Sequence, residues 1–261
     1  MKIIVLTENH AGGILGAEHG LSYCIEIGEN RFLFDTGHSD LFLRNAKKLD
    51  LNIENEVDTV VLSHGHWDHG NGLEHLKNKT LICHPGSFVK RFRKGGRESI
   101  GLRMTLDELR QRFMIQSYKE YKEIFKDVFF LGEIPRITDF EAKATSFELE
   151  DGSPDFVMDD SALAIVFHDG LIVISGCAHS GIVNIVEYAM KVTGCHSLKA
   201  VIGGFHLKQP NHQTKKTVEY FLENRPEVLI PSHCTELPAL SYFNRTFGNQ
   251  FLRTGDIINF Q

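Results

Sequence analysis

An α/β protein with two sheets packed together and helices outside is the fold that the order of apolar segments predicts. Nine runs of strand length, rich in β-branched residues and bounded by Gly, Asp, Asn or Pro, recur along the chain. The early runs follow one another closely and the late ones alternate with helical stretches. One of them leads directly into the densest group of ionisable side chains in the sequence.

The strands are expected at Ile3 to Leu6, Tyr23 to Ile27, Arg31 to Phe34, Thr59 to Leu62, Thr80 to Cys83, Ala162 to Phe167, Leu171 to Ile174, Ala200 to Ile202 and Val228 to Ile230. The Asn30 region and the step His168-Asp169-Gly170 read as hairpin turns. After Gly181, the residues Ile182, Ile185, Val186, Ala189 and Met190 follow the i, i+3, i+4, i+7, i+8 stripe of an amphipathic helix. A second helix is expected over Gln213 to Leu222. Between about 85 and 135 lies a basic insertion, read as helical over Thr105 to Phe113 and Tyr118 to Phe125. No Pro/Gly/Ser-rich linker divides the chain, which predicts a single domain over residues 1–261.

Composition narrows the function classes. The apolar run after Met1 is four residues long, too short for the core of a secretory signal, and no stretch approaches the ~20 apolar residues of a membrane span. Five cysteines without C-x-x-C spacing argue against a disulfide framework or a structural zinc knuckle, so a reducing cytoplasm is the expected location. A net charge of −6 argues against a nucleic-acid partner, and the lack of a long apolar stretch against a membrane one. Fourteen histidines are the outlying count, and they direct attention to metal binding.

Four ligand-type side chains fall within six residues in Ser63-His64-Gly65-His66-Trp67-Asp68-His69, just after the Thr59 to Leu62 strand. His-x-His puts two imidazoles on one side of an extended backbone, and Asp68-His69 turns two further ligands to a neighbouring point. His64 and His66 would take one metal, Asp68 and His69 a second.

This segment resembles the H-x-H-x-D-H signature of the metallo-β-lactamase-fold superfamily. Glu18-His19-Gly20-Leu21-Ser22, Phe34-Asp35-Thr36-Gly37, Gly132-Glu133-Ile134-Pro135-Arg136, Gly176-Cys177-Ala178-His179 and Gly203-Gly204-Phe205-His206-Leu207 are similar to one branch of it. That branch holds the dihydropterin ribofuranosyl-aminobenzene phosphate synthases of methanopterin biosynthesis and their bacterial relatives of unassigned function. The resemblance runs from Leu6 to about Thr235 and implies a four-layer αββα sandwich of two mixed sheets.

His64, His66, His179, His206 and His233 each stand just beyond the carboxyl end of an expected strand, the edge where open α/β sheets place ligand sites. His179 and His233 are therefore candidate ligands. The order around the Ala162 to Ile174 hairpin is exchanged relative to the superfamily: a His usually precedes such a hairpin and an Asp follows, whereas here Asp159-Asp160 precede it and His179 follows. Asp160 either supplies the bridging carboxylate or caps the turn into the strand. His206 is a further ligand, a substrate-facing catalytic acid or a structural loop histidine. Asp35 is expected to orient a histidine ligand. Cys177 and Cys234 read as small packing residues.

The chemistry that follows is hydrolysis by a hydroxide held between two divalent cations, zinc by preference and manganese or iron as alternatives, with Asp68 holding both metal and water. In the resembled superfamily, di-iron redox members carry a carboxylate at the position of His66, so the imidazole there favours zinc. Arg91, Arg93 and Lys94 lie among five positive charges in the eight residues from Lys90 to Arg97, which suits a phosphorylated small-molecule substrate or else a solvated surface. His19 is a further substrate-facing candidate through the Glu18-His19-Gly20 motif. The insertion would serve as a lid or as a dimer contact. The resemblance also implies a second reaction class, a carbon-bond-forming transfer with a pyrophosphate leaving group. Nucleic-acid cleavage and non-catalytic sensing complete the alternatives.

Overall fold

The computed structural model describes every residue except Asp169 and Asn249. The chain separates into two compact units interleaved in sequence, one of residues Met1–Tyr118, Ser146–Asp155 and Leu252–Gln261, the other of Lys119–Thr145 and Phe156–Phe251.

The first unit is built on a seven-stranded mixed sheet in the order Ile257–Asn259, Lys2–Thr7, Ser22–Ile27, Asn30–Phe34, Thr59–Val61, Lys79–Cys83, Phe113–Ser117. Neighbours are antiparallel as far as Asn30–Phe34 and parallel beyond it. The expected turn near Asn30 is a tight one, with Gly28 at φ 57°, a conformation glycine adopts without Cβ strain. One face carries Ile4, Leu6, Cys24, Leu33, Val60, Leu62 and Leu81 into a core with Phe42 and Ala46 of the helix Leu41–Lys48. That helix was absent from the sequence reading. Its buried Asn45 ties it down by donating to Leu6 O at 2.9 Å and Gly16 O at 3.0 Å.

The second unit holds a six-stranded sheet in the order Val228–Ser232, Leu198–Gly204, Gly170–Ser175, Ala162–Phe167, Val128–Phe130, Lys122–Phe125. Its first three strands are parallel and the rest antiparallel. The hairpin expected at His168-Asp169-Gly170 includes Asp169, which lies outside the described residues; the flanking strands pair antiparallel with Phe167 opposite Gly170. The helix Ile182–Thr193 buries the whole expected stripe, Ile182, Ile185, Val186, Ala189 and Met190. His212–Glu223 forms the second expected helix, capped by Asn211, whose side chain accepts from Thr214 N. A third, Leu237–Phe247, contributes Ala239 and Phe243 to the core.

The insertion differs from its helical reading. A helix does start after Thr105, which forms a capping box with Glu108, but it ends at Arg110. Phe113–Ser117 is instead a strand pairing parallel with Lys79–Cys83, and Lys122–Phe125 is a strand pairing antiparallel with Val128–Phe130. Leu106, Leu109 and Phe113 mimic helical spacing. Sheet pairing overrides it, because Phe113 and Ile115 reach the core on one face while Met114 stays 62% exposed on the other, a period of two.

At the start of Ile182–Thr193 the buried Glu141 carboxylate accepts from Val183 N at 3.0 Å and Asn184 N at 2.9 Å. Gly181, at φ 99°, is fixed here, since a Cβ would lie 2.4 Å from the Glu141 carboxylate. Burial pushes the Glu141 carboxyl up from 4.5 to about 7, against the lowering by those backbone N–H groups. The unfolded chain therefore ionises first, so stability falls as pH rises from about 4.5 to about 7. A change of that size is on the order of 3 kcal/mol. Glu141→Gln should remove this contribution from urea unfolding midpoints measured between pH 4.5 and 7.5, leaving the decline due to Asp160, which is pushed up in the same direction, and the opposing rise due to His64, whose proton affinity is lowered; an unaltered pH dependence would show that Glu141 stays ionised in the folded chain.

Candidate metal centre

In the first unit the parallel strands Asn30–Phe34, Thr59–Val61 and Lys79–Cys83 end at one edge, and the residues just past them carry the polar side chains. Asp35 leaves its strand at φ 58° and is fully buried. Its Oδ1 accepts from Ser63 N at 2.7 Å. Its Oδ2 accepts from Ser63 Oγ at 2.7 Å and from His69 Nδ1 at 2.6 Å. His69 is thereby held with Nδ1–H committed to the carboxylate, which fixes its tautomer and ring orientation. Because the Ser63 hydroxyl donates to Asp35, it accepts from His64 Nδ1 at 2.9 Å. That fixes the tautomer whose Nε2 lone pair points to His66 Nδ1, 3.0 Å away.

Gly65 lets the two histidines straddle a close approach, since a Cβ there would sit 1.8 Å from Ser87 O. The short helix Trp67–Gly70 then turns Asp68 and His69 back to the cluster. The rings of His64 and His69 are 4.2 Å apart, those of His64 and His66 4.6 Å, and Phe147 stands 5.0 Å from the His66 ring. Burial pushes the proton affinity of His64 well below the usual histidine range, helped by His69 and His66 beside it. Buried imidazoles facing one another beside a carboxylate are a donor set suited to a divalent cation. Asp68 Oδ2 is 3.1 Å from His19 Nε2 and 3.9 Å from His69 Nε2. His19 keeps 52% of its side chain exposed and lies beside the Trp67 ring.

The basic residues of the insertion separate. Arg91 is buried, with Nε 3.4 Å from Asp155 Oδ2 and its guanidinium donating to Gly86 O at 3.3 Å. Arg93 and Lys94 are exposed, at the end of the strand Arg91–Arg93 that pairs with Phe147–Leu149.

In the second unit the parallel strands Gly170–Ser175, Leu198–Gly204 and Val228–Ser232 likewise finish at one edge, which brings His179, His206 and His233 to it. The rings of His179 and His206 are 4.4 Å apart. One donor atom each of Cys177, His206 and Cys234 lies within 4.8 Å of the others, a grouping the sequence reading did not draw. Its available signal was that both cysteines sit at the same strand ends as the candidate histidines. Burial alone would raise the Cys234 thiol; hydrogen bonding from Cys177 and His206, with the charge of His206 and His233, holds it well below its usual range. Asp160 is buried, and its Oδ2 accepts from Ser180 N at 2.8 Å and Ser180 Oγ at 2.6 Å. Its Oδ1 meets no partner among the described residues, and burial pushes the carboxyl up to about 6.

Among the described residues no helix is long and apolar enough to cross a membrane. Residues 15–233 match the sequence pattern of the metallo-β-lactamase superfamily. Over all of this chain and 97% of the other, the sequence is 33% identical to the 7,8-dihydropterin-6-methyl-4-(β-D-ribofuranosyl)-aminobenzene-5'-phosphate synthase of Methanocaldococcus jannaschii. It is 34% identical, over 98% of this chain and 99% of the other, to an uncharacterised protein of the same organism. The crystal structure of a metal-dependent hydrolase of the β-lactamase superfamily superimposes with a TM-score of 0.88 at 30% identity, covering 100% of this chain and 99% of that one. With its mixed sheets and flanking helices, the chain belongs to the metallo-β-lactamase superfamily.

Proposed function

We propose that this protein is a hydrolase using two divalent cations, zinc by preference, on a phosphorylated small molecule. The observation that carries the reading is the buried His64–His66–His69 cluster, with His64 and His69 each held through the opposite ring nitrogen by Ser63 and Asp35. A divalent cation supplies Lewis-acid polarisation of a phosphoryl oxygen and makes water acidic near neutral pH. His64, His66, Asp68 and His69 are taken as its ligands. His179 and His233, just past the ends of parallel strands, are proposed as further ligands, and Asp160 has a carboxylate oxygen to contribute.

The chain's own groups have definite parts in this reading. Asp35 keeps His69 from rotating, and Ser63 keeps His64 in one tautomer. Asp68 Oδ2 accepts a hydrogen bond from the attacking water and then its proton, and His19 Nε2, beside it, steadies the carboxylate. The exposed face of His19 with Trp67, together with Arg93 and Lys94, meets the anionic substrate. A second reading, a carbon-bond-forming transfer that releases pyrophosphate, is favoured by the full-length similarity to the Methanocaldococcus synthase. The two separate in oxygen-18 water: hydrolysis puts solvent oxygen into a product, whereas the transfer releases pyrophosphate only when a carbon nucleophile is present.

Replacing His64 by Ala should abolish both bound metal, read by elemental analysis, and turnover of phosphate esters; full activity in that variant would remove the cluster from the mechanism. Asp35→Asn keeps the shape of the carboxylate but not its charge, and should weaken metal affinity about 10- to 100-fold in a chelator competition. An unchanged affinity would reduce Asp35 to a purely structural part. Replacing Arg93 and Lys94 together by Ala should raise KM for phosphorylated substrates while leaving kcat and the KM for uncharged esters as they are. Equal KM values in variant and parent would return that loop to ordinary surface.

A further inference from the structure

We propose that Cys177, His206 and Cys234 form a second metal site, one for a soft or borderline cation such as zinc or copper(I), independent of the reading given for the His64 cluster. Two sulfurs and an imidazole nitrogen lie within 4.8 Å of one another here, entirely inside the second unit. In a filled tetrahedral site, with metal–sulfur distances of about 2.3 Å and metal–nitrogen distances of about 2.0–2.1 Å, the ligand atoms stand roughly 3.5–4 Å apart. Side-chain adjustment of about an ångström therefore closes the present grouping around an ion. Two thiolates with one imidazole discriminate against magnesium and calcium, which take oxygen ligands, and in favour of zinc or copper(I). Three protein ligands also leave a fourth position for water or a small ligand.

The backbone is arranged for this convergence. The three residues come from loops after three adjacent parallel strands, and Cys234 Sγ reaches across 57 residues of sequence to within 3.5 Å of Cys177 O. Ala178, His206 and His233 hold φ values of 48°, 51° and 49°, left-handed conformations that cost energy in non-glycine residues and are tolerated where a constellation has to be held. Gly204 is required between the two cysteines, because a Cβ there would lie 2.6 Å from Cys234 Sγ and 3.2 Å from Cys177 Cα. Cys177 is buried and Cys234 is partly exposed. Packing alone would account for two small side chains at this edge; it gives no reason for both sulfurs and a ring nitrogen to meet.

The test is a cobalt(II) titration of the full-length, metal-free protein, followed by the thiolate-to-cobalt charge-transfer absorption in the near ultraviolet. That band reports sulfur ligation only and ignores cobalt held by histidine and carboxylate. It should develop in the parent protein and equally in His64→Ala, which separates this inference from the one about the His64 cluster. Each of Cys177→Ser and Cys234→Ser should lower its intensity by about half, as expected for two sulfur ligands of one tetrahedral ion, and the double change should remove it. The single changes keep the test valid if the double variant fails to fold. Absence of the band in the parent, or its persistence in Cys234→Ser at full intensity, would overturn the proposal. So would a Cys177–Cys234 cross-linked peptide in protein isolated without reductant, because the two sulfurs would then be joined to each other.

Discussion

The Asp35 carboxylate is the point on which the first unit's polar edge depends. It is fully buried, carries three hydrogen bonds, and through them sets the position of a strand-end backbone, a serine hydroxyl and a histidine ring. A bond to a charged group contributes about 1.5–3 kcal/mol, and a buried carboxylate left without such donors would be costly. The loop that follows Thr59–Val61 consequently has one arrangement. The ring orientations of His64 and His69 follow from it, because the Nδ1 of each is engaged, by Ser63 and by Asp35.

The edges in both units are made by the same topological device. Parallel strands bring their carboxyl ends together, so residues remote in sequence arrive at one margin without any element reaching far for them. Tight backbone is the cost of this arrangement. Asp35, Ala178, His206 and His233 all adopt left-handed conformations, and Gly65 and Gly204 stand where no side chain fits. These positions cluster at the strand ends, where the chain has to turn at once while presenting a side chain.

Much of this was legible in the sequence. Short β-branched runs bounded by turn residues locate the central strands of both sheets, since a strand buried on both faces leaves a continuous apolar signal. The stripe after Gly181 marks its helix for a similar reason. Phe113–Ser117 was misread because its apolar spacing continues that of the preceding helix, and only pairing with Lys79–Cys83 decides between the two periods. Leu41–Lys48 escaped notice because half of its fastening is the polar Asn45, which no hydrophobic pattern reports.

At the site, His64, His66, Asp68 and His69 stood out because they are contiguous. The roles of Asp35 and Ser63 depend on hydrogen bonds formed through the fold, of which spacing gives only a hint. The meeting of Cys177, His206 and Cys234 depends on strand order, which single-residue reading does not supply; taken one at a time, two of the three are ordinary thiols. The burial of Arg91 beside Asp155 is of the same kind, since a basic run in sequence does not say which of its members turns inward.

The most direct measurement is a long-range proton–nitrogen correlation spectrum of histidine-labelled protein, recorded metal-free and then with zinc. The account predicts that the Nε2 resonances of His64 and His69 move on zinc addition while their Nδ1 atoms stay protonated, held by Ser63 and Asp35. Unmoved Nε2 resonances at saturating zinc, or loss of the Nδ1 proton at His69, would contradict it.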